Sequence, residues 1–272
     1  MDFNEKLVDA LNLIGLKPND IQLQNFRLFY DELIEYNKKI NLTTIIDEDG
    51  FIYKHILDSL VPYKILENNN KILDIGAGAG FPSVPLSIVL NDANITAIDS
   101  VNKKILWLEH IKNMANLSHF YPIHTRCEDL AFKEGFRESF DVVVSRAVAE
   151  LYTLLEYAIP FVKVGGLFLA YKSVGVDEEL RNAKSAISIL GCKLIDKIEF
   201  NNEKLGNRVI LVFKKITKTQ NKYPRGMNKP RLNPIKWIYI FCISCLPYIL
   251  HNLFLIHFIL VLVSLKACFE VY

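Results

Sequence analysis

Two hydrophobic periods divide the chain. Up to residue 66 the apolar positions recur at helical spacing. Leu7, Leu11 and Ile14 mark one helix; Phe26, Phe29, Leu33 and Tyr36 mark a second, with Pro18-Asn-Asp20 between them as break and cap. Residues 51–66 add one or two short helices. From residue 71 short apolar runs alternate with helical ones. Residues 71–75, 95–99, 120–124, 141–145 and 167–172 read as strands, the last entered through a turn at Gly165-Gly166. Residues 83–90, 103–115, 150–162 and 177–190 read as the helices between and after them. Residues 192–200 and 208–214 read as two further strands joined by a short polar turn. This alternation predicts an α/β fold of Rossmann-like type: a mostly parallel sheet covered on both faces, with right-handed crossovers. The last two strands supply an antiparallel hairpin at one edge.

Charge divides the chain differently. Among the 272 residues the net charge is +2, yet residues 1–203 hold 21 Lys or Arg against 29 Asp or Glu. Residues 204–236 hold ten Lys or Arg and no acid. The expected organisation is a helical region at 1–66, an α/β domain at 67–216, a basic segment at 217–236 and an apolar tail at 237–272. The five cysteines are scattered without a disulfide-like layout and the first residues lack an apolar signal core, so a reducing cytoplasm is the expected setting of residues 1–235.

The candidate chemistry sits where the first strand ends. Asp74-Ile-Gly-Ala-Gly-Ala-Gly-Phe-Pro82 is a strand, a glycine turn and the start of a helix. That layout lets a backbone approach a nucleotide closely. The glycines stand at every second position, Gly76, Gly78 and Gly80. This differs from the Gly-x-Gly-x-x-Gly of dinucleotide folds and points to S-adenosylmethionine (SAM). Ligands of open α/β sheets bind beyond the carboxyl ends of the strands. Asp99 ends the second strand, where a carboxylate can accept two ribose hydroxyls. Cys127 and Glu128 follow the third and frame an adenine edge. Ser145-Arg146 follows the fourth. Each residue also has a plain alternative: a simple turn for the glycines, a helix cap for Asp99, surface charge for Glu128, a small buried side chain for Cys127. An NAD-dependent dehydrogenase shares the acidic residue at the second strand, but the glycine spacing is off by one. His55, His110, His119 and His124 have no flanking motif for proton transfer. A non-catalytic SAM-binding or membrane-attached protein is the other alternative.

If a methyl group is transferred, the acceptor is constrained by what is missing. The chain has no Pro-Cys pair for pyrimidine carbon-5 and no Asn/Asp-Pro-Pro-Tyr/Phe for an exocyclic amine. Guanine N7 has a free lone pair and loses no proton, so it needs positioning rather than a strong base. The glycine strip, Asp99-Ser100, Asn102-Lys-Lys104, Cys127-Glu128, Ser145-Arg-Ala-Val148, Gly165-Gly166 and Lys172 occur in an order that resembles the bacterial 16S ribosomal RNA guanine-N7 methyltransferase family, also called the glucose-inhibited division protein B family. Asn37-Lys-Lys-Ile-Asn-Leu-Thr43, His55-Ile-Leu-Asp-Ser-Leu60 and Lys222-Tyr-Pro-Arg225 extend the resemblance over residues 1–235. It implies a SAM-dependent enzyme acting on one guanine of small-subunit rRNA. Gly76 and Phe81 would line the cofactor site, Asp99 would hold the ribose, and Cys127-Glu128 would meet the adenine, where the family more usually has Ala-Glu. Arg146 would stand beside cofactor and guanine as the catalytic candidate. The basic segment is the expected RNA footprint, with Arg208, Lys222 and Arg225 on phosphates, Tyr223 stacking a base and Lys172 on the active face. A monomer is expected.

Residues 237–265 contain no Asp, Glu, Lys or Arg. As a helix these 29 residues would span about 44 Å, more than a hydrocarbon core of about 30 Å. In isolation they read as a C-terminal membrane anchor whose basic flank stays cytoplasmic. The family resemblance does not cover them, and the favoured reading is a stretch translated past the usual stop, with a membrane tether as the alternative. Cys242 and Cys245 lie inside this apolar run, which argues against zinc.

Overall fold

A computed structural model describes residues 1–67, 70–146, 149–173 and 175–236. The expected tail at 237–272, with its membrane contact, lies outside the described residues. Among the described residues no helix is long and apolar enough to cross a membrane.

Two helices open the chain, α1 (Phe3–Asn12) and α2 (Asp20–Asn37). Each starts with a capping box. Asp2 and Glu5 satisfy each other's backbone N–H groups, and Asn19 and Gln22 do the same after Pro18. A helical stretch follows, made of α3 (Glu48–Gly50), a π-helical turn (Phe51–Leu57) and α4 (Asp58–Leu60). A π-helical turn at this length was not legible in the hydrophobic pattern, and such turns are frequent at functional sites.

The rest alternates as expected. The elements are β1 (Lys71–Ile75), α5 (Ser83–Val89), β2 (Asn94–Asp99), α6 (Asn102–Met114), β3 (Phe120–His124), α7 (Cys127–Leu130), β4 (Phe140–Arg146) and α8 (Leu151–Ala158). Then come β5 (Val162–Lys172), α9 (Val176–Asn182), α10 (Lys184–Ile189), β6 (Cys192–Asn202), β7 (Gly206–Lys215) and α11 (Lys229–Leu232). Three details differ from the sequence reading. The helix expected at 177–190 is two helices. The short α7 falls where no helix was expected. Gly165-Gly166 is not a turn before β5 but lies within it, opposite a register shift between Phe140 and Val142 of β4. There the Asp141 carbonyl lies 2.6 Å from where a Gly166 Cβ would be, so no side chain fits.

The seven strands form one sheet in the order β3-β2-β1-β4-β5-β7-β6. Pairs within the first five are parallel, and the β5–β7 and β7–β6 pairs are antiparallel, as the closing hairpin predicted. This is a Rossmann-like α/β architecture closed by an antiparallel hairpin. Alternate strand residues serve opposite faces. Ile72, Val142 and Leu169 face a core shared with α1, α2, the π-helical stretch, α5 and α6. Leu73, Val143 and Phe168 face a second core under α8 and α10. The first core is aromatic: Phe29 meets Phe51, Phe81 and Trp107 at centroid distances of 5.5, 5.2 and 6.1 Å. Burying such rings contributes on the order of 1.5–3 kcal/mol each. It also joins the amino-terminal helices to the glycine turn, and the described residues form one compact unit.

Candidate active site

The strand order reverses between β1 and β4, and crevices of open sheets form at such switch points. Two cavities open along this carboxyl edge. The first, about 450 Å³, lies over β1, β2 and β3. The second, about 650 Å³, lies over β4 and β5 and is reached by the start of antiparallel β7.

Gly76, Asp99, Ser100, Cys127 and Glu128 line the first cavity. Asp99 is 7% exposed. Its Oδ2 accepts from the Gly78 N–H at 3.0 Å and its Oδ1 from the Val101 N–H at 2.9 Å, with Lys104 Nζ 3.6 Å from Oδ2. A carboxylate offers about four lone-pair directions, so acceptor capacity remains for ribose hydroxyls. Gly78 has φ +60° and its missing Cβ would point into open space, with the Gly76 carbonyl 3.8 Å away. A ligand can therefore approach the backbone there. Gly80 serves packing instead: at φ +101° an added Cβ would lie 2.6 Å from Val84 of α5. Trp107 of α6 donates to the Ala79 carbonyl at 3.0 Å and pins the turn.

Glu128 is buried at the start of α7, and the Cys127 thiol donates to its Oε2 at 3.2 Å. Burial, reinforced by the Glu128 charge, pushes the Cys127 thiol well above its ordinary range, so it is a small inert side chain rather than a nucleophile. Asp74 lies beneath the turn, fully buried. One oxygen accepts from the Ser83 N–H at 3.3 Å and the other has no hydrogen-bond partner among the described residues. Burial raises its pKa from 3.8 to about 7. The open Cβ position at Gly78 leaves the backbone accessible to a ligand, and Asp99 suits a ribose. The residues present fit SAM.

The second cavity sets Lys54, Arg146, Lys172 and Arg208 against Asp58, Glu150 and Glu179, and is built from distant segments. Arg146, at the end of β4, donates through Nη1 to Asp58 Oδ2 at 2.9 Å and to the Lys54 carbonyl at 3.2 Å. Asp58 Oδ1 lies 3.1 Å from Arg208 Nε, so one carboxylate, 6% exposed, bridges two guanidinium groups. His55 Nδ1 lies 3.2 Å from Arg146 Nη2, and its Nε2 lies 2.9 Å from Thr43 Oγ1. Burial, then the Arg146 charge, lowers the His55 pKa to about 3, so the ring is neutral at physiological pH. Lys172 donates to Glu179 Oε2 at 2.6 Å and to the Ala149 carbonyl at 3.0 Å.

Phe81 does not line the first cavity. It is 4% exposed, lines neither cavity, and packs against two residues of the second. Its ring stacks on His55 at 4.1 Å, and the Arg146 guanidinium lies 5.0 Å from its centroid. The basic segment is also put to different uses. Arg208 lines the second cavity, and Lys222 is exposed over the Tyr223 ring at 5.2 Å. Tyr223 is 7% exposed and packs into the second core, so its ring turns inward rather than outward to a base. Arg225 forms a bidentate pair with fully buried Glu156 at 2.8 and 2.7 Å. These are corrections to a wholly solvent-facing basic segment: its cations partly neutralise acids of the core.

Sequence reasoning missed His55, Asp58, Tyr157 and the strap residues Asn228 and Arg231, which also line the first cavity. The helical spacing of His55 and Asp58, which puts both on one helix face, was the available signal.

A glycine cradle with a ribose-type carboxylate, next to a cavity lined by Arg146 and Arg208 at the switch point of a Rossmann-like sheet, defines a SAM-dependent methyltransferase. Comparison with known proteins narrows the class. Residues 22–206 match the family model GidB, rRNA small subunit methyltransferase G. The ribosomal RNA small subunit methyltransferase G of Lachnoclostridium phytofermentans is 41% identical over 85% of this chain and 97% of its own. That of Alkaliphilus oremlandii is 39% identical over 87% of this chain and 100% of its own. Among solved structures, Aeropyrum pernix fibrillarin with natively bound S-adenosyl-L-methionine is 12% identical and covers 59% of this chain and 75% of its own, with a TM-score of 0.47. The chain belongs to the GidB family of rRNA small subunit methyltransferases.

Proposed function

We propose that the protein transfers a methyl group from SAM to N7 of one guanine in 16S ribosomal RNA, in the cytoplasm. The observation that supports this reading is the pair of cavities on one carboxyl edge, Gly76 and Asp99 lining one and Arg146 and Arg208 the other. When bound, SAM supplies an electrophilic methyl on a sulfonium. Asp99 would hold the ribose, the Gly76–Gly80 turn would give the methionine portion room, and Glu128 would meet the adenine.

The residues of the second cavity match what N7 requires. The N7 lone pair is free at neutral pH and no proton is lost, so a strong base is unnecessary, and neutral His55 does not have to act as one. Orientation supplies much of the acceleration. Arg146 is held by Asp58, the Lys54 carbonyl and His55, and can orient a phosphate or the base edge. The product base becomes cationic. The Asp58 carboxylate between Arg146 and Arg208 offsets the charge that would otherwise oppose it. Lys172 and Arg208 extend the cationic surface, with exposed Lys222 farther along the chain as a phosphate contact.

The test is mass analysis of 16S rRNA from a strain lacking the gene, complemented with wild type or with Arg146→Ala. The expected result is loss of one N7-methylguanosine, restored by wild type and not by the variant. Unchanged N7-methylguanosine in the deletion strain contradicts the reading.

A further inference from the structure

The segment from Arg225 to Ile235 forms a strap against one face of α8. Thr153, Glu156 and Tyr157 stand at helical spacing on that face, and each holds it. Arg225 binds Glu156 through its backbone N–H, Nε and Nη2, at 2.9, 2.8 and 2.7 Å. Thr153 Oγ1 donates to the Pro230 carbonyl at 2.9 Å. Tyr157 OH donates to Asn228 Oδ1 at 3.4 Å. The chain reaches this path through Met227 and Asn228, consecutive non-glycine residues at φ +56°, a strained conformation that persists where the surroundings enforce it. The result is that Asn228 and Arg231 face the same cavity as Asp99 and Glu128, with Tyr157 as its back wall.

We propose that this strap is the outer wall of the cofactor site. Arg231 lays its guanidinium on the purine face of the bound cofactor, and Glu156 is the positioning residue that latches the strap in place. This rests on the SAM reading of the first cavity. A planar, weakly hydrated cation favours an aromatic face, and the adenine end of the ligand belongs beside Glu128, in the part of the cavity that Tyr157 and Arg231 share. Tyr157 remains a protonated donor: burial and the Glu128 charge raise its pKa to about 12, so its bond to Asn228 persists across physiological pH. Glu156 touches no ligand and acts through Arg225.

The experiment is titration calorimetry of the full-length protein with two probes, S-adenosylhomocysteine and adenosine, for wild type, Arg231→Ala, Arg231→Lys and Glu156→Gln. RNA affinity is measured in parallel at fixed salt. Arg231→Ala is expected to weaken both probes by about tenfold and by the same factor, because adenosine retains the purine face and lacks only the amino-acid portion. Arg231→Lys is expected to recover part of the loss. Glu156→Gln is expected to weaken both probes and to speed amide hydrogen exchange at 225–235. Equal probe affinities for wild type and Arg231→Ala, or a loss confined to RNA affinity, overturn the proposal and leave the SAM reading standing. A wild-type protein that binds neither probe overturns both.

Discussion

The two cavities on the carboxyl edge are assembled by different means. The acceptor side of the first is local: Gly76, Asp99, Cys127 and Glu128 each stand at a strand end or within four residues of one, and Asp99 binds backbone N–H groups of the loops beside it, while Tyr157, Asn228 and Arg231 close it from α8 and the strap. The second is assembled from afar: Arg146 meets Asp58 across 88 positions of sequence, and Arg208 arrives from the antiparallel strand that closes the sheet. The first presents the carboxylates of Asp99 and Glu128, the second two guanidinium groups that share the Asp58 carboxylate. A cofactor common to many reactions suits a site set by strand ends. A substrate particular to one enzyme draws on side chains that only the tertiary fold brings together.

The sharpest break of this contrast is Asp99→Ala. Hydrogen bonds to a charged acceptor contribute roughly 1.5–3 kcal/mol each, so losing two ribose contacts weakens SAM binding by about 100-fold or more. RNA affinity is expected to stay within about twofold. Titration calorimetry for SAM and filter binding for RNA check the split.

The two halves also answer pH in opposite directions. Asp74 has its pKa raised from 3.8 to about 7, so the folded chain keeps a proton that the unfolded chain releases. Its stabilising contribution is full below about 3.8 and falls as pH rises through about 7. His55 has its pKa lowered from 6.5 to about 3, so the unfolded chain takes up a proton that the fold refuses. Its contribution is full above about 6.5 and falls as pH drops toward 3. Between about pH 4 and 6.5 the two slopes oppose each other, so in urea denaturation Asp74→Asn is expected to leave a stability that rises with pH more steeply than wild type, and His55→Gln one that falls with pH relative to wild type. A variant whose stability keeps the wild-type pH profile contradicts the assignment at that residue.

The smallest expected effect lies outside both cavities. Lys222→Ala should leave SAM affinity unchanged. It should reduce the slope of log RNA affinity against log salt by about one, as one lost phosphate contact does. An unchanged slope removes Lys222 from the RNA surface.

Legibility followed the same division. The strand runs, the glycine strip and the closing hairpin were readable, because period-two burial and turn chemistry are local properties. So were Asp99 and Glu128, which follow strands. The π-helical turn was not readable, since no local pattern marks its register, and His55 looked like an isolated histidine although it stacks on Phe81. Tyr223 and Arg225 read as surface because they lie in a run of cations. Burial is decided by what packs against a segment, here α8 with Glu156, and composition does not record that.

The central claim is that the cavity over β1–β3 takes the cofactor and the cavity over β4 and β5 takes the substrate, with Arg146 on the substrate side. It is tested most directly by Arg146→Ala, measuring SAM affinity and the single-turnover methylation rate of small-subunit RNA at saturating SAM. The predicted result is SAM affinity within about twofold of wild type and a rate lower by on the order of 100-fold, the scale of a lost positioning group. A wild-type rate at saturating SAM, with SAM affinity reduced tenfold or more, would place Arg146 in the cofactor half and contradict the account.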